Sequence, residues 1–260
     1  MDWKKRTSPL VAEIRVQAGA GLLDERHVAF LPDGMIGLLF QMTDGSVTHR
    51  GSRWGELYVV GTRTRAVYKT VPTVPLALAV RFYPGVAPAI LGVPGNELTD
   101  RVVRLEDIWG SHGERLRQRL LSATTVDEML TLLQSAAQPQ PLRGNEPSST
   151  RVVRCAVDAL THSAAPLRMT QLAVELRVTP RHLRRVFTSA VGLGPKQFAR
   201  VIRFQRAFRA VRRNHDWARV ALDAGYYDQA HMIRDFRALA GATPSQVRAL
   251  TFSGWRRASR

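Results

Sequence analysis

Between residues 26 and 83 the apolar positions come in short runs, His27–Leu31, Ile36–Met42, Glu56–Gly61 and Leu76–Phe82, each bounded by Gly, Pro or Asp. Short apolar runs closed by such residues predict β-strands, and several at this spacing predict a small β-sandwich or barrel. Pro32-Asp33-Gly34 and Thr43-Asp44-Gly45 predict turns, because Pro presets φ and Gly accepts positive φ. The period changes near Glu114. Leu116, Leu120 and Leu121, then Val126, Met129, Leu130 and Leu133, recur at helical spacing on either side of Thr124-Thr125, which predicts an αα-hairpin. Its leucine stripe suits either a dimer interface or packing inside its own domain. Residues 139–149, rich in Pro, Gly and Ser, carry no periodicity and predict a linker. From Thr150 onward the pattern is helical. The expected organisation is therefore α+β: a β-rich domain over 1–138, the linker, an all-α domain over 150–252, and a basic tail over 253–260.

The helical part contains a duplication. Leu183 and Met232, Phe187 and Phe236, Gly192 and Gly241, and Pro195 and Pro244 are each separated by 49 positions, and Ala173 and Ala221 by 48. The one-residue difference places an insertion in the second turn. In the first copy Thr170 is expected to cap a short helix that buries Leu172, Ala173 and Leu176. Thr179 and Pro180 then open a second helix, at the positions where a hydroxyl cap and a missing N–H are favoured. That helix ends at Gly192. In the second copy a helix near Trp217–Ala224 turns at Gly225, and Asp228 caps a helix over Gln229–Ala240 ended by Gly241. A long amphipathic helix, about 196–213, joins the copies. Phe198, Val201, Ile202, Gln205 and Phe208 are expected on its inner face, with Arg200, Arg203, Arg206 and Arg209 mostly outside. Two helices joined by a tight turn form the helix-turn-helix pattern.

Charge sharpens this picture. Residues 148–260 hold 21 Lys and Arg against 6 Asp and Glu, whereas residues 1–147 hold 17 against 15, within a chain of net charge +17. A basic domain beside a near-neutral one is the footprint of phosphate-backbone binding, although an Arg-rich solvated surface would look the same by composition alone. The single cysteine, Cys155, rules out an intramolecular disulfide and a zinc site built on several cysteines, and it is expected to be a small buried hydrophobe. With neither a long apolar span nor a signal-like N-terminus, the chain is expected to be cytoplasmic and away from membranes.

Residues 151–250 resemble the AraC/XylS family of transcription regulators. The resemblance rests on Leu172-Ala173, Thr179-Pro180-Arg181-His182-Leu183-Arg184-Arg185-Val186-Phe187, Gly192-Leu193-Gly194-Pro195, Arg203-Phe204-Gln205-Arg206-Ala207, Ala224-Gly225-Tyr226-Tyr227-Asp228-Gln229 and Phe236-Arg237 through Pro244. It implies that both second helices enter successive major-groove segments on one DNA face. Arg177 departs from the Gly usual in the first turn, and Tyr227 from a small polar residue in the second. The segments 27–40, 79–85, 91–94 and 97–110 look like the sensor domain of one AraC-type subgroup. That likeness implies a cupin-like β domain followed by helices, which senses a small-molecule effector or mediates homodimerisation. Met35 and Gly37 stand where the subgroup often has Cys and an acidic residue.

In the first recognition helix, Leu183, Val186 and Phe187 share the core face, leaving Arg181, Arg184, Arg185 and Thr188 outside. An Arg fork can donate to guanine O6 and N7 together, so Arg181, Arg184 and Arg185 are the expected base contacts. In the second, Met232, Phe236 and Leu239 should be buried. Gln229 can pair with adenine, and the resemblance adds Ala230, His231 and Arg234 as base contacts. Thr179, Arg200, Arg203 and Arg237 are expected at phosphates. Arg206, Arg212, Arg213 and Arg248 are either phosphate-positioning or solvated. Asp235 should face away from phosphates, and Tyr226 should pack in the core. His27, His49 and His112 are scattered, so no metal and no cofactor is expected. Arg81, in an apolar strand, either anchors an anionic ligand, forms a buried ion pair or is simply exposed. No nucleotide-binding or nucleophile motif appears. The expected partner is double-stranded DNA, with RNA polymerase added if the protein activates. An alkyl-transfer repair enzyme, a cupin-type enzyme and a non-specific architectural protein are the alternatives.

Overall fold

A computed structural model describes residues 10–18, 25–43, 54–72, 74, 76–138, 148–163, 167–211, 216–249 and 256–257. Asp44-Gly45, His49, the linker up to 147, Arg212, Arg213 and most of the tail lie outside the described residues, as do the side chains of His27 and Arg248.

The N-terminal domain contains strands β1 (Val11–Ala18), β2 (Glu25–Phe30), β3 (Gly37–Thr43), β4 (Trp54–Val60), β5 (Val67–Pro72), β6 (Leu76–Phe82) and β7 (Val102–Arg104). A short β8 (Arg256–Arg257) returns from the far end of the chain. They form an antiparallel six-stranded sheet, ordered β7-β4-β3-β6-β1-β8, and a separate ribbon of β2 and β5. The four strands read from the apolar runs are present. The missed β1 interleaves Glu13, Arg15 and Gln17 with apolar residues, so its polar side chains share one face. Every residue of β6 is buried, which fits its central place in the sheet and its continuous apolar run.

Helices α1 (Ala87–Leu91) and α2 (Glu106–Trp109) lead into a hairpin of α3 (Ser111–Ser122) and α4 (Val126–Ala136). Thr125 caps α4 by accepting from the Glu128 N–H at 3.2 Å, while a Glu128 carboxylate oxygen accepts from the Thr124 N–H at 2.9 Å. The hairpin's Leu116, Leu120, Met129, Leu130 and Leu133 join Phe40, Leu57, Leu78 and Phe82 of the sheet in one core. These five residues of the stripe are therefore spent on packing inside the domain, while Leu121 and Val126 stay half-buried. Arg81 is also settled: its guanidinium donates to both Asp33 carboxylate oxygens, at 2.7 and 2.8 Å, and to the Met35 carbonyl at 2.6 Å. It forms the buried ion pair and pins the Pro32-Asp33-Gly34 turn.

The C-terminal domain contains α5 (Ser148–His162), α6 (Met169–Glu175), α7 (Pro180–Val191), α8 (Pro195–Val211), α9 (Trp217–Asp223), α10 (Gln229–Ala240) and α11 (Pro244–Ala249). Helix α5 starts inside the segment read as linker. Helix α6 begins before Thr170 and has no side-chain cap, so Thr170 lies within it. The caps read for the longer helices are in place: Thr179 accepts from the His182 N–H at 3.1 Å and Asp228 from the His231 N–H at 2.6 Å. On α8 the buried stripe is Phe198, Val201, Phe204, Ala207 and Val211. Ile202, Gln205 and Phe208 are only half-buried, so the expected inner face was rotated by about one position.

The two domains touch at chemically specific points. Thr99 Oγ1 donates to the Gly192 carbonyl at 2.6 Å, and the Ala66 N–H donates to the Leu239 carbonyl at 2.7 Å. Tyr68 OH donates to the Ala240 carbonyl, and the Gln205 amide to the Pro32 carbonyl. Gly34 lies against the Phe198 ring. The N-terminal domain thus satisfies carbonyls at the C-terminal ends of both α7 and α10, groups that a helix leaves without internal partners.

Gly192 is the tightest of these points, with φ +87° and a would-be Cβ 2.5 Å from Thr62 Oγ1 and 2.8 Å from the Gly95 carbonyl. Gly192→Ala adds left-handed strain and a backbone clash, and is expected to destabilise the protein by roughly 2–4 kcal/mol. Thermal unfolding checks this; an unchanged melting temperature would show that the contact does not form in solution.

Candidate nucleic-acid interface

The two copies of the duplicated unit fold alike down to individual hydrogen bonds. Helix α6 ends with Arg177 N–H on the Val174 carbonyl and Val178 N–H on the Ala173 carbonyl, both 3.0 Å. Helix α9 ends with Gly225 N–H on Leu222 and Tyr226 N–H on Ala221, both 2.9 Å. This pair of bonds is the Schellman closure, which requires a left-handed residue at its centre. Gly225 supplies it with φ 90°, and Arg177 is held at φ 55°. The departure noted at Arg177 therefore leaves the turn geometry intact and loads it with strain. Tyr227 is the inserted residue of the second turn, and it is 87% exposed.

Each second helix is buried along one side by the expected residues: Leu183, Val186 and Phe187 on α7, and Met232, Phe236 and Leu239 on α10. Phe187 packs edge-on against Phe198 with ring centroids 5.4 Å apart, and Phe236 against Phe204 at 4.9 Å. Equivalent phenylalanines thus dock onto two different rings of the shared α8.

The outer faces carry the predicted polar residues. Arg181, Arg184 and Arg185 are exposed on α7, as are Gln229, Ala230, Arg234 and Arg237 on α10, and Thr179 at the first cap. Thr188 is half-buried. None of these arginines forms an ion pair with a carboxylate among the described residues. His231 is half-buried and stands edge-on to the Tyr226 ring at 5.1 Å, so its ring also has a packing role. Cys155 is half-buried, more open than expected.

The arginines of α8 behave differently from expectation. Arg200 Nε donates to Asp235 Oδ1 at 2.7 Å, the Arg203 guanidinium lies 5.6 Å from the Tyr226 ring centre, and Arg206 donates to the Ser163 carbonyl at 2.7 Å and to that of Thr161. They tie α8 to α10, to the second turn and to the end of α5. These three side chains are therefore engaged within the domain and not merely solvated. Asp235 does face away from the outer surface: it is 4% exposed. Burial, with the Asp235 charge nearby, also raises the Tyr226 phenol well above its ordinary range. The one signal in the sequence was a lone acid in a basic helix.

Residues 172–250 match the family model of a helix-turn-helix domain. The C-terminal region is a helix-turn-helix domain. Residues 9–104 match a domain of unknown function (DUF6597). No curated protein matches the chain. Among solved structures, the chain is similar to a transcriptional regulator with an AraC-type DNA-binding domain from Chromobacterium violaceum, with 23% identity over 40% of this chain and 95% of that one and a TM-score of 0.36. It is also similar to the DNA-binding domain of AdpA in complex with a target DNA, with 25% identity over 40% and 92% and a TM-score of 0.35. Over 92% of its length it resembles ToxT from Vibrio cholerae O395, covering 97% of that chain at 11% identity and a TM-score of 0.43. No described helix is long and apolar enough to cross a membrane.

The helix-turn-helix domain offers two stability tests. Arg177→Gly relieves left-handed strain and is expected to stabilise by about 1 kcal/mol, seen as a melting temperature higher by roughly 2–4 °C. Asp235→Ala leaves Arg200 without its partner. Because Arg200 is partly solvated, the expected cost is about 2–3 kcal/mol, below that of a fully buried pair. Urea unfolding measures it; a cost near zero would mean the ion pair contributes nothing.

Proposed function

We propose that this protein is a sequence-specific regulator of transcription that reads two successive major-groove segments with α7 and α10. One observation carries the reading. Two helix-turn-helix units share α8, and each second helix turns an exposed polar face away from its core, with arginines that pair with no carboxylate among the described residues. Arg181, Arg184 and Arg185 read bases in one segment, with guanine as the natural partner of a guanidinium fork. Gln229, Ala230, His231 and Arg234 read the other, where Gln229 suits adenine. Thr179, Arg237 and the exposed part of Arg200 contact phosphates, while Arg203 holds the second turn. The N-terminal domain acts as the sensor of a small-molecule effector and delivers its signal through the contacts at Gly192, Leu239 and Ala240. The protein acts on cytoplasmic DNA, and activation would add a contact to RNA polymerase. Its work is recognition rather than catalysis.

Selection from a random DNA library with the purified protein tests the reading. One bipartite sequence is expected, with log affinity falling against log salt by about 0.9 per phosphate neutralised. Arg185→Ala and Arg234→Ala should each relax one base position, in separate halves of the site, at a cost of roughly 1–3 kcal/mol. Uniform weakening across all sequences would sink the base-reading assignment.

A further inference from the structure

A buried polar cluster lies between α8, the second turn and α10, and the helix-turn-helix fold does not require it. Asp235 of α10 and Tyr226 of the turn are both buried. Arg200 Nε donates to Asp235 Oδ1 at 2.7 Å. The other carboxylate oxygen, Asp235 Oδ2, is buried with no hydrogen-bond partner among the described residues, and the same holds for the Tyr226 hydroxyl and Arg203 Nε. The acid and the phenol are neighbours. The Asp235 charge acts together with burial to raise the Tyr226 phenol well above its ordinary range. Tyr226 is thus a protonated donor that stands near a charged acceptor and outside bonding geometry. Buried polar groups are nearly always paired, and leaving one unpaired costs free energy.

The duplication supplies an internal control. Val186 and Val178 of the first unit stand where the second has Asp235 and Tyr226, 49 and 48 residues later. The first unit closes its turn with the same pair of backbone bonds. Apolar side chains therefore suffice at both places, and the unpaired atoms answer no need of the fold. Arg200 reaches out of the cluster: its side chain is 39% exposed, against 6% for that of Asp235. The Arg203 guanidinium lies 5.6 Å from the Tyr226 ring centre, and His231 stands edge-on to the same ring at 5.1 Å. Tyr226 thus stands between the buried acid and a residue of the outer face.

We propose that Tyr226 is a positioning residue for DNA reading by α10: when Arg200 turns from Asp235 to a DNA phosphate, the Tyr226 hydroxyl closes on Asp235 Oδ2 and holds α10 and His231 in place. The proposal rests on the DNA-reading role given to α10 and Arg200 above. Removing Arg200 from Asp235 with nothing in its place strands a buried carboxylate, which costs more than a surface ion contact returns. A hydroxyl that donates to a carboxylate makes a charge-assisted bond and offsets that loss. Arg203 keeps a positive charge against the same ring meanwhile. The hydroxyl is therefore unpaired in the free protein and bonded in the complex, so it lowers stability and raises DNA affinity.

The test pairs thermal unfolding of the full chain without DNA and binding titrations with the DNA sequence that the wild-type chain selects. Tyr226→Phe removes the hydroxyl and keeps the ring beside His231. It is expected to raise the melting temperature by roughly 2–4 °C and to weaken DNA binding about tenfold. In an Arg200→Met background Asp235 has no guanidinium partner from α8 in either state, so the hydroxyl bonds it in both. There the same Tyr226→Phe change is expected to lower the melting temperature and to leave DNA affinity within about twofold. Arg200→Met alone should reduce the salt slope of binding by about one. A purely structural hydroxyl would move stability and affinity in the same direction in both backgrounds. An unchanged or lower melting temperature for Tyr226→Phe in the wild-type background, or an unchanged DNA affinity, would overturn the proposal. Those outcomes leave the regulator reading standing, since the wild type has by then selected its sequence. A wild-type chain that selects none strikes the regulator reading and this proposal together.

Discussion

Both helix-turn-helix units are built on one helix, and this sharing governs the geometry of the C-terminal domain. Phe198 and Phe204 of α8 each receive the edge of an equivalent phenylalanine, Phe187 from α7 and Phe236 from α10. Six residues along an α-helix amount to about 9 Å of rise and about 120° of net rotation. The two recognition helices are therefore offset both along the rod and around it, and neither can shift without repacking a fully buried ring. Close packing of this kind resists small displacements. A rigid spacing between two reading heads is what a bipartite DNA site demands, since both must meet the groove in register at once.

The N-terminal domain acts on the same geometry from the opposite end. Its contacts fall on the Gly192, Leu239 and Ala240 carbonyls and on Gln205 between them. Each recognition helix has 12 residues, so its caps lie about 18 Å apart. The N-terminal ends, with Thr179-Pro180-Arg181 and Asp228-Gln229-Ala230, stay clear of these contacts. One domain can thus hold both helices by their tails while their heads remain open. A change over residues 62–68 bears on both helices, because Thr62 lies against Gly192 while Ala66 and Tyr68 bond Leu239 and Ala240, whereas residues 95–99 meet α7.

The parts legible in the sequence were those fixed by local chemistry. Thr179-Pro180 and Asp228 specify helix starts, Gly192 and Gly241 specify ends, and the 49-residue offset aligns two cores. These features gave α7 and α10 to the residue. The sheet was legible only where strands are apolar throughout: β6 was plain, whereas β1, with polar residues on one face, was not. The internal partners of the α8 arginines were not legible, because a helical period places these residues outside their own helix. It does not reveal that another helix lies there. Arg200, Arg203 and Arg206 meet Asp235, Tyr226 and the end of α5, partners 23 to 45 residues away along the chain. Nothing in the local pattern encodes such tertiary partners. The docking of the two domains was hidden for the same reason, since Thr99, Tyr68 and Gln205 are unremarkable surface types until an opposing carbonyl is known.

The duplicated units, although alike in backbone, are held by different physics. Where α7 has Val186 against the core, α10 has Asp235, buried and bound to Arg200. Where the first turn packs Val178, the second packs Tyr226 beneath Arg203. An apolar contact is tolerant of small rotations, because dispersion is non-directional. A charge-assisted hydrogen bond at 2.7 Å is directional and fixes orientation as well as distance. The second recognition helix is consequently the more sharply oriented of the two about its own axis. In the DNA-reading role proposed for them, the three guanidinium groups of the first helix sit on long, adaptable stems that can reach guanine or phosphate across a range of helix poses. In the same proposed role, Gln229 and Ala230 of the second helix have a shorter reach than arginine and would need the backbone itself to be correctly set. The polar core of one unit and the polar surface of the other are thus two solutions to the same requirement, that both heads reach DNA in register.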